Sequence, residues 1–493
     1  VQIDSSCGGH AARRWCSVGI LARHAAFRTS GPTMPPAPDP IATPNAPPLR
    51  EKASYALGDF GLNLYWSSIS AFLLIFYTDV MLLPAAAVGT LILVTKIGDA
   101  IADPLMGMLA DRTRTRWGHF RPWLLWGALP LAATGVLAFT VPPLGADMRL
   151  LWAYATFSLM MLAYTVVSIP YSALSGVITA DGQQRTVLVS LRFIAAFAGT
   201  TFVNYATLDL VGALGQGDAA TGWQRTLMVY GALAAVLFAS VFFGVRERVV
   251  PPPSQRTPWR QDVADLLNNR PWLVLFVLAL VIMVTIVMRA GAGVYYFKYY
   301  LGRPDLTGWF LGSYSVALAL GAAATPLLTR WFDRRRLMIG LMCVVGVLSA
   351  SMYFVPPGGL VLAFVLNILV GLALGPKSPL AFAMYADTAD YTEWRTGRRA
   401  TALTFAAATF SQKLGGAIAS AAIAWVLAGM GYVANQSQSQ ASQQGIVLLM
   451  TVIPGMVALL AAWTMRFYPL DDARLAELQQ ALAARRANPD PSP

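Results

Sequence analysis

Two carboxylates stand inside what is otherwise an apolar run. In the stretch VGTLILVTKIGDAIADPLMG, Asp99 and Asp103 are four residues apart, so on a helix both project from one face about one turn apart. An ionisable group at a bilayer midplane costs about 2.5–3.5 kcal/mol on insertion scales, and it persists by pairing, facing water or binding something. Two acids within one turn repel each other, which raises the affinity of the space between them for a small cation. Oxygen ligands suit Na⁺, and the same repulsion suits H⁺. The competing reading is a structural ion pair with Lys96, three residues before Asp99, or with another helix.

Other polar groups interrupt apolar runs in the same way. They are Asn63 after Asp59; Tyr164, Thr165 and Ser168 before Pro170; and Arg192, Arg289 and Lys413. The set is too large for a purely structural bundle and too small for an aqueous pore. Amide, phenol, hydroxyl and guanidinium groups read hydroxyls, and Trp66 offers a face on which a sugar ring can stack. Each alone is more often interhelical glue; together they point to a polar solute site. Enzymatic chemistry is poorly supplied. The three histidines are His10, His24 and His119, and no HExxH, GxSxG, P-loop or Rossmann pattern occurs in a suitable context. Cys7, Cys16 and Cys343 have neither disulfide-framework nor metal-ligand spacing.

The elements that must position these groups are membrane helices. Only 12% of the 493 residues are charged and 56% are hydrophobic, against about 25% charged in a soluble protein. The mean hydropathy is +0.55. Apolar runs long enough to span a bilayer fall at about 55–77, 86–110, 122–141, 150–179, 188–212 and 226–245. A second set falls at about 272–300, 307–329, 337–355, 359–386, 401–430 and 445–468. The expectation is an all-α polytopic membrane protein with an N-terminal six-helix half, 51–245, and a C-terminal half, 272–468. Between them lies a polar cytoplasmic loop, 246–271, carrying Pro251, Pro252 and Pro253.

The net charge of +12 does not suggest a nucleic-acid partner, because the basic residues cluster in alternate short loops. Arg112, Arg114, Arg116, Arg121, Arg185, Arg330, Arg334 and Arg395 share one side. The positive-inside rule puts that side, and both termini, in the cytoplasm of a cell with a bacterial-type inner membrane. Residues 1–50 read as a disordered leader rich in Pro, Ala and Arg, and translation is expected to start at Met34, leaving 1–33 as an upstream extension. In the tail, 469–493, Leu475, Leu478 and Leu482 share a face of an amphipathic helix that lies on the membrane or on the bundle.

The run DPLMGMLADRTRTRWGHFRPWLLWG from Asp103 resembles the signature of the glycoside–pentoside–hexuronide:cation symporters, or sodium:galactoside symporters, of the major facilitator superfamily. FYTDV at 76–80, AYTVVSIPY at 163–171, LRF at 191–193 and YADTADYTEWRTGRRAT at 385–401 match further, so the resemblance covers about 51–470. It implies twelve helices in two pseudo-symmetric six-helix halves, with no cofactor beyond a coupling Na⁺ or H⁺; a monomer is expected. By that resemblance Asp99, Asp103, Thr165 and Lys413 match cation-site residues, and Arg192 and Tyr164 match the sugar site. Asp111, Arg112, Asp387, Asp390 and Arg399 match cytoplasmic gating contacts, the last three in a loop over 387–399. The family's galactoside-reading acids fall on Asn63 and Ser168, its sugar-site Trp on Ser172 and its sodium-site Asn on Ala102. The implied activity is cation-coupled uptake of a sugar or glycoside. The alternatives are exchange or efflux of a non-sugar solute, and a non-transporting membrane receptor or scaffold.

Overall fold

The computed structural model describes residues 47–179, 181–248, 264, 266–396 and 401–487. Helices dominate, and no strand occurs among the described residues. The first half contains α1 (Leu49–Ile75), α2 (Ala85–Arg112), α3 (Arg121–Ala138), α4 (Ala146–Ile178), α5 (Gly182–Gly215) and α6 (Ala219–Gly244). The second half contains α7 (Arg270–Tyr295), α8 (Thr307–Ala323), α9 (Arg334–Ser351), α10 (Leu360–Leu374), α11 (Lys377–Thr396), α12 (Thr401–Gly429), α13 (Gln440–Met450) and α14 (Val452–Met465). A tail helix, α15, runs Asp472–Ala487.

These lie where apolar runs of bilayer length predict them. Among the described residues eleven helical stretches are long and apolar enough to cross a membrane. The expected span at α3 is outside that set; its 18 residues open on Arg121 and Pro122, and it packs between α4 and α6. The tenth expected span breaks into α10 and α11 at Gly375 and Pro376, and the twelfth breaks into α13 and α14 at Thr451, three residues before Pro454. Both breaks follow from a proline ring that cannot continue the hydrogen-bond ladder. One expectation is corrected here. The stretch 387–396 is helix rather than loop, because DTADYTEWRT contains neither Pro nor Gly to stop it.

In each half the fifth spanning helix crosses the first at a glycine. A Cβ on Gly199 of α5 would sit 3.0 Å from the Phe60 carbonyl of α1, and one on Gly415 of α12 would sit 2.3 Å from the Leu280 carbonyl of α7. Small residues let membrane helices approach closely and pack by van der Waals contact. These crossings fix the depth and rotation of α5, which carries Arg192, and of α12, which carries Lys413.

The signature loop before α3 is held by an acid far along the chain. Glu247 accepts from the backbone N–H groups of His119 (2.8 Å), Phe120 (2.9 Å) and Arg121 (2.9 Å), which satisfies the orphan donors at a helix start. Gly118 has φ +117°, and a Cβ there would lie 2.5 Å from Glu247 Oε1, so both conformation and space require glycine. The tail helix α15 buries Leu475, Leu478 and Leu482 and packs on α11, the bundle alternative of the sequence reading.

Candidate functional site

The two acids of α2 are joined by one hydroxyl and one ammonium from other helices. Thr165 of α4 donates to Asp99 Oδ1 at 2.6 Å, and Thr165 Oγ1 lies 3.1 Å from Asp103 Oδ1. Lys413 of α12 reaches Asp99 Oδ2 at 2.9 Å and Asp103 Oδ2 at 2.5 Å. One oxygen of each carboxylate thus meets Thr165 within the first half and the other meets Lys413 of the second, and Asp99 is buried. Ala102 adds no oxygen there. The four expected cation-site residues are thus brought together.

Lys96 is not the partner of the acids. Its ammonium lies 4.7 Å from the centre of the Trp66 ring, and its Nζ is buried without a hydrogen bond. Although i−3 spacing leaves it on the acids' side of the helix, its ammonium rests over the indole face, where the ring quadrupole holds it. The structural pairing that competes with ion binding is made by Lys413.

Next to this cluster lies a second one. Arg192 Nε donates to Asp59 Oδ2 at 2.7 Å, and an Nη donates to Ser172 Oγ at 3.1 Å. The guanidinium sits 4.8 Å from the Tyr171 ring centre. Tyr164 approaches Trp66 with ring centroids 6.2 Å apart. Tyr164 and Thr165 are consecutive on α4, so one turn of helix touches both clusters. Ser168, one turn further along α4, is half-buried.

Asn63, expected at the sugar site, is bonded within the protein. Its amide donates to the Asp59 carbonyl at 2.8 Å, and its oxygen accepts from Thr200 at 3.1 Å, so it is occupied in tying α1 to α5. The acid that faces Arg192 is Asp59, one turn earlier on the same face. The sequence carried the signal, a carboxylate inside an apolar span at i−4 from Asn63, but not its partner. Arg289 also lies elsewhere. It is buried in the second half, bonded to Asn367 Oδ1 (2.8 Å), Ser349 Oγ (3.2 Å) and the Met450 carbonyl (3.3 Å), and it serves as interhelical glue.

Of the expected gating residues, the side chain of Asp111 and all of Arg399 lie outside the described residues. Arg112 is exposed at the end of α2. Asp387 pairs with Arg334 at 2.8 Å, and Arg334 also holds Asp472 at 3.0 Å. These contacts lie within the second half and between it and the tail helix. Asp390, one turn further along α11, faces the same end of the bundle.

A cavity of about 1560 Å³ opens away from the acid pair, which does not line it. It lies between α5 of the first half and α8 and α11 of the second, and reaches Arg185, Arg334 and Asp472 at the arginine-rich end. The halves are therefore parted toward that end. At the other end they meet around Asp79, which Lys298 of the second half reaches at 2.6 Å.

Comparison with known proteins agrees with this architecture. The sequence model of the MFS/sugar transport protein family matches residues 54–472. The inner membrane symporter YicJ of Escherichia coli strain K12 is 37% identical over 437 residues, covering 88% of this chain and 95% of that one. The isoprimeverose transporter of Lactiplantibacillus pentosus is 33% identical over 486 residues, covering 96% and 99%. Among solved structures, the inward-open xylose transporter XylE from E. coli superimposes with a TM-score of 0.62 at 15% identity, over 87% of this chain and 98% of that one. This last likeness shows the fold.

Proposed function

The chain belongs to the MFS/sugar transport protein family, a class of carriers rather than enzymes, and from that premise we propose how its two clusters work together. The protein couples entry of one Na⁺ or H⁺ to uptake of a sugar or glycoside by alternating access. The names of its relatives, a symporter and an isoprimeverose transporter, support a glycoside as the solute. Asp99, Asp103 and Thr165 receive the coupling ion, and Lys413 occupies the acids when the ion is absent. Asp59, Arg192, Ser172 and Tyr164 read sugar hydroxyls, and Trp66 stacks on the ring. A carboxylate that accepts from one hydroxyl, beside a guanidinium that donates to its neighbour, suits vicinal diols.

The observation that carries this reading is the bridge of Lys413 across both acids, 2.9 and 2.5 Å away. Lys413 belongs to the second half and the acids to the first. An arriving cation displaces the ammonium and so changes a contact between the halves, which is what coupling requires. The carrier acts as a monomer in an inner membrane, with both termini and the arginine-rich loops on the cytoplasmic side. Asp111, Arg112, Asp390 and Arg399 contribute to closing that side when the halves rock.

The test is ion movement in proteoliposomes challenged with glycosides, xylosides and hexuronides. Sugar-triggered alkalinisation or Na⁺ influx, of one ion and not the other, supports symport and identifies the coupling. No ion movement with any sugar that is itself accumulated refutes it.

A further inference from the structure

We propose that Asp79 and Lys298 form a latch that holds the two halves shut at the end opposite the arginine-rich loops, and that it breaks and re-forms in each transport cycle. The inference rests on the alternating-access reading above and assigns a role to residues that reading does not use.

The latch grows from matching local structure in the two halves. Helices α1 and α7 each end in one wide π turn, Phe76–Val80 and Tyr296–Tyr300. Each is closed by the same pair of backbone bonds. Met81 N–H donates to the Phe76 carbonyl (2.9 Å) and Leu83 N–H to that of Tyr77 (2.9 Å). Leu301 N–H donates to the Tyr296 carbonyl (3.0 Å) and Arg303 N–H to that of Phe297 (2.9 Å). Each is followed at the same step by a left-handed residue, Leu82 at φ 59° and Gly302 at φ 67°. π turns rotate the side chains that follow them and concentrate at functional positions. Here they bring Asp79 of one half against Lys298 and Tyr299 of the other.

The contacts that result cross between the halves. Lys298 donates to Asp79 Oδ2 at 2.6 Å and to Asn435 Oδ1 at 2.8 Å. Asn435 donates to the Asp79 carbonyl at 2.6 Å. The phenols of Tyr299 and Tyr432 also donate to the Asp79 carboxylate, and Thr78 Oγ1 lies 2.8 Å from Tyr295 Oη. The side chain of Asp79 is 2% exposed and that of Lys298 is 31% exposed. The carboxylate is therefore dry when the latch is closed, while the lysine end stays open to water that can separate the pair. A pair that only braced one half would stay inside that half, as Arg334 and Asp387 do. This one joins first half to second, at the face where the halves touch while the opposite end stands parted.

The test uses the full chain with Cys7, Cys16 and Cys343 replaced by alanine and Ser70→Cys introduced. Ser70 lies on α1 behind the latch, at the contact with α7, where a Cβ on Gly291 would be 3.6 Å from its carbonyl. A membrane-impermeant, negatively charged thiosulfonate is applied separately to right-side-out and inside-out vesicles. Asp79→Asn and Lys298→Met are expected to speed labelling from the outside by roughly tenfold or more, as a shifted two-state population requires. Exchanging the charges, Asp79→Lys with Lys298→Asp, is expected to slow it again. Unchanged rates in both single variants, or equal acceleration from both faces, overturn the latch. A parent whose labelling responds to no ion or sugar overturns the transport reading instead.

Discussion

Replacing Lys413 by methionine tests the coupling device most directly. The ammonium lies 2.9 Å from Asp99 and 2.5 Å from Asp103, and the side chain of Asp99 is 1% exposed. An ion that binds the acids must first displace this internal cation, so its affinity is lowered by the free energy of the displaced contacts. Removing one partner of a buried ion pair typically costs about 3–5 kcal/mol, because the other charge is left uncompensated. In Lys413→Met that cost falls on the ion-free state alone, since the ion-bound state already lacks the contact. With a factor of ten for each 1.4 kcal/mol, the coupling ion should bind roughly 100- to 4000-fold more tightly. Release on the cytoplasmic side should slow, and accumulation of sugar should be lost although sugar still binds. Titration calorimetry of the purified protein against Na⁺ and against H⁺, beside sugar counterflow in proteoliposomes, measures both. Ion affinity that is unchanged or weaker would show that Lys413 does not compete with the ion.

Three further outcomes follow from the same geometry. Asp103→Asn removes one of the two charges that the ion neutralises, and is expected to abolish ion-driven accumulation while leaving sugar exchange measurable; full accumulation would remove the acid pair from the mechanism. Asp59→Asn loses the charge-assisted bond its carboxylate is proposed to make to a sugar hydroxyl, which should raise KM for the transported sugar by roughly tenfold to a hundredfold, as a loss of about 1.5–3 kcal/mol implies; ion affinity should be unchanged, and an unchanged KM would exclude Asp59 from the sugar site. Gly118→Ala forces a Cβ to within 2.5 Å of Glu247 at φ +117° and should destabilise the first half by about 1–3 kcal/mol, read as a lower midpoint of thermal unfolding in detergent. An unaltered midpoint there would mean that the loop rearranges at no cost.

The membrane spans can be read along the chain, because they are written as local runs of apolar residues and their ends as turn residues and arginines. The positions of the helices were legible for the same reason. So was the shared face of Asp99 and Asp103, since an i, i+4 spacing fixes direction within one helix. What the tertiary structure decided is which groups meet. Lys413 reaches Asp99 across 314 residues, and Arg192 reaches Asp59 across 133. No local pattern states that Asn63 is occupied by Thr200, that Lys96 rests on Trp66, or that Arg289 is sealed among Ser349, Asn367 and Met450. Each of these depends on the depth and rotation at which two helices pack, set by close crossings such as Gly199 on Phe60 and Gly415 on Leu280. Periodicity fixes the face a side chain occupies on its own helix, and packing decides what that face meets.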